Sequence, residues 1–328
     1  MRDILMLGVM LSVIPMALMN GFVAFLLWIY TNLLSPHVYL YGFMADFRYA
    51  FVFAALALGS LVLGRAGKIE KGLFDWSLIL IVVFVLHAIV SAVLALQENP
   101  NIEFRLEYFV KGMAVAIVAP FFIKTRWQLH LVVVVIVAAL GFHAVVDGLK
   151  VVASAGGHII HGIPRSTLSD NNLYALAVVM ILPLLLYLSK HSGVIYVRWC
   201  FLVVFALCVM TVLGSNSRGA FIAMVVLGFW YWLTSARKLA SLLFVILVAL
   251  VVVQVAPDRW FDRIETIKNA KEDDSFMGRV AAWKVSVNIA NSSPFFGAGF
   301  DSTQVPAIWD EHKDVHNIFN IEIPPNVA

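Results

Sequence analysis

The chain has 328 residues, 62% of them hydrophobic and 13% charged, with a mean hydropathy of +0.90. A soluble domain carries roughly 25% charged residues, so the composition excludes an ordinary water-soluble fold and points to a bilayer. A formal charge of +3 is too small to suggest a nucleic-acid partner. The two cysteines, Cys200 and Cys208, share one apolar run, which excludes a disulfide framework.

A membrane span needs ~20 apolar residues. Runs of that kind occupy 4–34, 47–64, 73–96, 108–123, 127–153, 172–189, 197–213, 219–234 and 238–256. Met1-Arg2-Asp3 leads into the first run with no small-residue cleavage site, which predicts a retained span rather than a removable signal. That run is interrupted at Pro15 and at Asn20-Gly21, so it is either one kinked span or two short ones folded back. Counted as one, it gives an all-α polytopic membrane protein of about nine transmembrane helices over 1–256. An extracytoplasmic helical segment follows at 257–328.

Lysine and arginine in alternate loops set the orientation. One set carries Arg65, Lys68, Lys71, Lys124, Arg126, Lys190, Arg198, Arg237 and Lys238; the other carries only Arg105, Arg165 and Arg218. The rich side is expected to be cytoplasmic, with the amino terminus inside and the segment from 257 outside. That segment holds 11 of the 20 acidic residues and three tryptophans, Trp260, Trp283 and Trp309. Within it a helix is predicted over about 275–291. Asp274 or Ser275 is placed to cap it, and Val280, Trp283, Val287 and Ala290 fall on one apolar face.

The polar residues expected outside are few. Arg218 lies in "VLGSNSRGAF" (212–221), between two apolar runs, beside Ser217 and small residues. It is either an interfacial anchor or a two-pronged grip on a phosphate. "GGHIIHGIPRSTLSDNN" (156–172) is a shaped loop whose Arg165 offers a second cation. Asp170, Asn171 and Asn172 suit sugar hydroxyls, while Asp170 or Asn171 equally suits capping of the next helix. Arg279 opens the outer helix against its dipole, either for a ligand or for a salt bridge to the acidic run 272–274.

His312 and His316, in "DEHKDVHN", stand at i and i+4. That spacing fits zinc, but there is no HExxH, and a histidine base is the more attractive chemistry. No metal centre and no cofactor are expected. His143 and Asp147 are one turn apart inside a span and are placed to pair, and His87 reads as a packing residue. The chain has no GxxxxGKS/T, GxGxxG or DxD, and a donor used outside the cytoplasmic membrane, where there is no nucleotide pool, must arrive preactivated, a lipid pyrophosphate being the obvious form.

"SNSRGAF", the loop "HGIPRSTLSDNN" before "ALAVVMILPLLLYL", and "GRVAAWKVSVNIANSSPFFGAGF" together resemble the bacterial O-antigen ligase family. With "MRDILMLGVML" and "LLWIYTNLLSPHVYLYGF", the pattern is most similar to its branch of O-glycosylation ligases associated with the exosortase A system. The resemblance covers nearly the whole chain, with an amino-terminal region to about 190 and a ligase core from about 191. It implies an inner-membrane glycosyltransferase working on the periplasmic face without metal or nucleotide. A glycan would move from undecaprenyl pyrophosphate to a lipid A core or a protein Ser/Thr hydroxyl. It further implies that Arg218 and Arg279 hold the pyrophosphate and that His316 activates the acceptor. Arg165, Asp170, Asn171, Asn172, Ser217 and His312 stand around them as substrate contacts. In the family the histidine is followed by more spans, whereas "IEIPPNVA" ends this sequence, so the expected periplasmic segment is short relative to the family. The rival functions are an O-antigen polymerase, a lipid-linked glycan transporter and an inactive short homologue.

Overall fold

The structure, a computed structural model, describes residues 1–64, 76–97, 99–236, 238, 239, 241–243, 246 and 274–313. Among these, every regular element is helical. In chain order the helices are α1 (Arg2–Met19), α2 (Gly21–Leu34), α3 (Tyr49–Val62), α4 (Trp76–Val93), α5 (Asn101–Phe122) and α6 (Arg126–Ala153). There follow α7 (Asn171–His191), α8 (Ile195–Gly214), α9 (Arg218–Thr234), α10 (Asp274–Ser292) and α11 (Pro306–His312), with 3-10 turns at Pro36–Tyr39 and Ser302–Gln304. The chain divides into two compact units, Met1–Gly67 with Phe122–Glu265 and Lys68–Phe121 with Thr266–Ala328.

Five helices among the described residues, α1, α4, α6, α7 and α8, are long and apolar enough to cross a membrane, against the nine crossings expected. Length is the reason. The apolar helices α2, α3 and α9 have 14, 14 and 17 residues, or about 21–26 Å at ~1.5 Å per residue, short of a ~30 Å hydrocarbon core. The run at 108–123 falls in α5, whose first half carries Glu103, Arg105, Glu107 and Lys111. Most of 238–256 lies outside the described residues.

In the first unit, the opening apolar run is two helices folded back. Asn20 is extended (φ −138°, ψ 109°), and its side chain accepts from Phe22 N at 3.0 Å, capping α2. Pro15 stays inside α1, so the break is made by the asparagine. Asp3, at the start of α1, accepts from Gly42 N (3.2 Å) and Met44 N (3.1 Å) in the connection that follows α2. The same connection holds His37, whose Nε2 donates to the Arg165 carbonyl at 2.8 Å. Residue 3 and the 154–170 loop therefore share one end of this unit, where the charge count had placed them on opposite sides. That count took 4–34 as one pass, and a reversal at Asn20 changes the parity.

Helices α6, α7 and α8 form the core of this unit, with Ala144, Tyr174, Val178, Leu185, Val212 and Leu213 fully or almost fully buried. A capping box starts α6, Thr125 Oγ1 accepting from Gln128 N (3.1 Å) while Gln128 Oε1 accepts from Thr125 N (3.0 Å). At Gly148 the backbone of α8 comes so near that a Cβ would overlap the Leu207 carbonyl. Thr211 Oγ1 then donates across the seam to the Ala144 carbonyl at 2.5 Å. Small residues and a hydroxyl bond are what bring helices together where lipid removes the hydrophobic drive.

In the second unit, α10 begins and ends within a residue of its expected limits, and the cap expected from Asp274 or Ser275 sits at the edge of the described residues. Its buried face is different from the expected one. Ala281, Val285 and Ile289 pack with Ile308 and Trp309 of α11. Trp283 and Val287 of the anticipated apolar stripe are 63% and 48% exposed. The inward face carries Lys284 and Asn288, both buried, and these polar residues hid it from a reading based on hydropathy.

Candidate functional site

Two helix N-termini are joined at one end of the first unit. Asp170 is the N-cap of α7, its Oδ1 accepting from Asn172 N (2.9 Å) and Leu173 N (3.0 Å). Ser217 is the N-cap of α9, its hydroxyl accepting from Ala220 N at 3.3 Å. A chain of side chains ties the two caps. Ser217 Oγ donates to Asn172 Oδ1 (2.8 Å), Asn172 Nδ2 to Asn171 Oδ1 (3.2 Å), and Asn171 Nδ2 to the Ser215 carbonyl (2.8 Å). Ser215 and Ser217 are buried, and Asn216 between them takes a left-handed conformation (φ 54°). The result is a stiff turn that delivers Arg218, half-buried, as the first residue of α9.

The electrostatics of that end favour an anion. A helix N-terminus carries about half a positive charge, and here two lie side by side, one of them opening with Arg218. Arg165 belongs to the same end but has another engagement. Its Nη2 donates to the His37 carbonyl at 3.3 Å while its own carbonyl accepts from His37, and its φ is 54°. Of the residues expected here, Asp170, Asn171, Asn172 and Ser217 thus bond the two turns to each other. Arg165 latches the loop to the Pro36–Tyr39 turn.

A polar layer beneath this end was only partly visible in the sequence. His143 and Asp147 were expected to pair, yet the bonds recorded for them go to other partners. His143 Nε2 donates to the Leu34 carbonyl (2.8 Å), which can only accept. In the neutral ring Nδ1 therefore accepts from the Tyr39 phenol, at 2.7 Å. Asp147 accepts from Tyr174 Oη (3.2 Å) and pairs with Lys150 (2.9 Å). Burial, reinforced by the charge of Asp147, pushes the Tyr39 phenol up to about 12, so it stays protonated near neutrality. His37 and Tyr39 lie in the stretch "LLWIYTNLLSPHVYLYGF" that carries part of the family resemblance, but nothing in it assigned them a role. A turn-forming Pro36 set between two apolar runs was the local signal.

In the second unit, Arg279 is exposed on α10. The salt bridge weighed for it involves residues 272–274, whose side chains lie outside the described residues. His312 is 4% exposed and engaged at both ring nitrogens, Nδ1 donating to the Ile308 carbonyl (2.9 Å) and Nε2 lying 3.0 Å from Ser292 Oγ. Asn288 Nδ2 donates to the His312 carbonyl at 2.6 Å. His312, expected to contact substrate, fastens α11 to α10 through these bonds. His316 lies outside the described residues. Among the described residues no group of three His, Cys, Asp or Glu side chains is placed to hold a metal ion. His87 stacks on Phe296.

Comparison with protein families places this geometry. The model of the O-antigen ligase family matches residues 203–323, which contain the Ser215–Arg218 turn, α10 and α11. The carboxy-terminal part of the chain, residues 203–323, is an O-antigen ligase domain by this match. The amino-terminal part, residues 1–193, belongs to the family of unknown function DUF5935, so the Asp170–Asn172 cap and the turn it braces come from regions matched by different families. No match was found among curated proteins or among solved structures. An O-antigen ligase domain supports a membrane glycan ligase or polymerase, a glycosyltransferase-like enzyme in general.

Proposed function

We propose that the protein is a glycan ligase of the bacterial inner membrane, transferring a glycan from undecaprenyl pyrophosphate to an acceptor hydroxyl at the periplasmic face. The observation that carries this reading is Arg218, held at two joined helix N-termini by the Ser217–Asn172–Asn171 chain. Such a place suits the charge that develops on a departing pyrophosphate. In this reading Arg218 and Arg279 stabilise the leaving group and His316 takes the acceptor's proton. The acceptor oxygen bonds to the anomeric carbon as the bond to the pyrophosphate oxygen breaks. Undecaprenyl pyrophosphate leaves and the anomeric configuration inverts. Asp170, Asn171, Asn172, Ser217 and Arg165 position the turn, and His312 fastens α11 to α10. Neither metal nor cofactor takes part. The acceptor is a lipid A core sugar or, following the resemblance to the exosortase-associated branch, a protein serine or threonine.

The test is transfer of a labelled undecaprenyl-pyrophosphate glycan by the purified protein in chelator, with Arg218→Ala beside it. Transfer by the parent and loss in the variant are expected. Equal transfer by both would remove Arg218 from the chemistry. The product also separates ligase from polymerase, because single transferred glycans mark the first and lengthening lipid-linked chains the second.

A further inference from the structure

Within the second unit, the segment after α10 is stitched along the end of α4, one of the helices able to cross a membrane. Ser91 Oγ donates to the Phe296 carbonyl at 2.6 Å, and the His87 ring stacks on the Phe296 ring at 6.2 Å. Past the helix end, Gly299 (φ 89°) passes so close to Ala95 that a Cβ would stand 2.7 Å from it. Asn99 Nδ2 then donates to the Phe300 carbonyl (3.3 Å), and Arg105 pairs with Asp301 at 2.6 Å. The stitches run from inside the helix outward. His87 precedes the end of α4 at Val93 by six residues, about 9 Å at ~1.5 Å per residue, so Phe296 reaches below the level where the span ends.

Two apolar features next to Phe296 face outward. Phe295 is 77% exposed, and α10 presents Arg279, Trp283 and Val287 at i, i+4 and i+8, one face of the helix. Leu80, Phe84 and Leu86 of α4, N-terminal to the His87–Phe296 stack, are exposed as a lipid-facing surface requires. Tryptophan and arginine are side chains that settle at a membrane boundary, each with an apolar body and a polar or charged tip.

We infer that this face is seated on the bilayer that α4 crosses, with Phe295, Trp283 and Val287 in the headgroup–acyl boundary and Arg279 at the level of the lipid phosphates. The seat itself depends only on α4 being a membrane span. Its consequence, that Arg279 meets a lipid-borne diphosphate at the depth where that group resides, rests on the transfer reading above.

The experiment uses the full chain with Cys200 and Cys208 replaced by serine and Phe295→Cys carrying an environment-sensitive fluorophore. It is placed in nanodiscs of phosphatidylethanolamine and phosphatidylglycerol, with ordinary or brominated acyl chains. Blue-shifted emission that the brominated lipid quenches is expected. Water-like emission, or a blue shift that bromine leaves untouched because another protein copy covers the probe, would overturn the seat. Should the labelled variant fail to fold, Trp283→Phe in the otherwise native chain gives the same answer, by removing part of the bromine-quenchable tryptophan emission or none of it. Neither measurement involves glycan transfer, so the seat and the proposed activity fail separately.

Discussion

Arg218 and a lysine in its place would carry the same charge on different shapes. The guanidinium offers a planar fork to a phosphate, and the ammonium a single point. Arg218→Lys is therefore expected to lose transfer nearly as completely as Arg218→Ala, by ~100-fold or more in kcat; full activity with lysine would return the residue to the role of interfacial anchor. Ser217 acts one step back. Ser217→Ala removes a helix cap and the bond to Asn172, a loss of about 1 kcal/mol visible as a lower Tm in detergent. Ser217→Thr, which keeps the hydroxyl, should recover both stability and transfer. At this scale the sequence revealed residue types better than tasks. "SDNN" was legible as polar, and capping by Asp170 was one of its two readings, but the partners of Asn171 and Asn172 lie more than 40 positions away on another turn. Nothing local in the sequence could announce them.

At the scale of elements, Asn20 as a break and Asp170 as a cap were legible in the sequence, while the Thr125–Gln128 box and the Ser217 cap come from the structure. Helix faces were not legible. α10 shows why, because its inward side is held by the Asn288 bond to His312 and by buried Lys284, and a periodicity of hydropathy selects the wrong stripe. Close seams between helices are equally silent, since Gly148 is one glycine among 20. The structure gives it a definite consequence. Any side chain there meets the backbone of α8, and backbone cannot rotate away, so Gly148→Ala should cost about 1–3 kcal/mol and lower the Tm. The neighbouring Gly141 has only ordinary contacts waiting for a Cβ, and Gly141→Ala should leave the Tm close to that of the parent.

At the scale of the molecule, composition identified a membrane protein and the ordered motifs identified the family. The path of the first apolar run depends on a single residue, Asn20. A reversal there puts Asp3 at the same end as the Arg165 loop and the Arg218 turn. Single cysteines in a background lacking Cys200 and Cys208 test this with a membrane-impermeant thiol reagent. Arg2→Cys and Thr167→Cys are expected to react from one side of sealed vesicles, and Lys190→Cys, at the far end of α7, from the other. Labelling of Arg2→Cys together with Lys190→Cys instead would restore the single-pass reading of the first apolar run.

The tie between Asp3 and the connection after α2 also bears on how the protein can be handled. A carrier domain joined ahead of Met1 would emerge beside the working end rather than behind it. There it would shade the Arg218 turn from a bulky acceptor while small water-soluble reagents still passed.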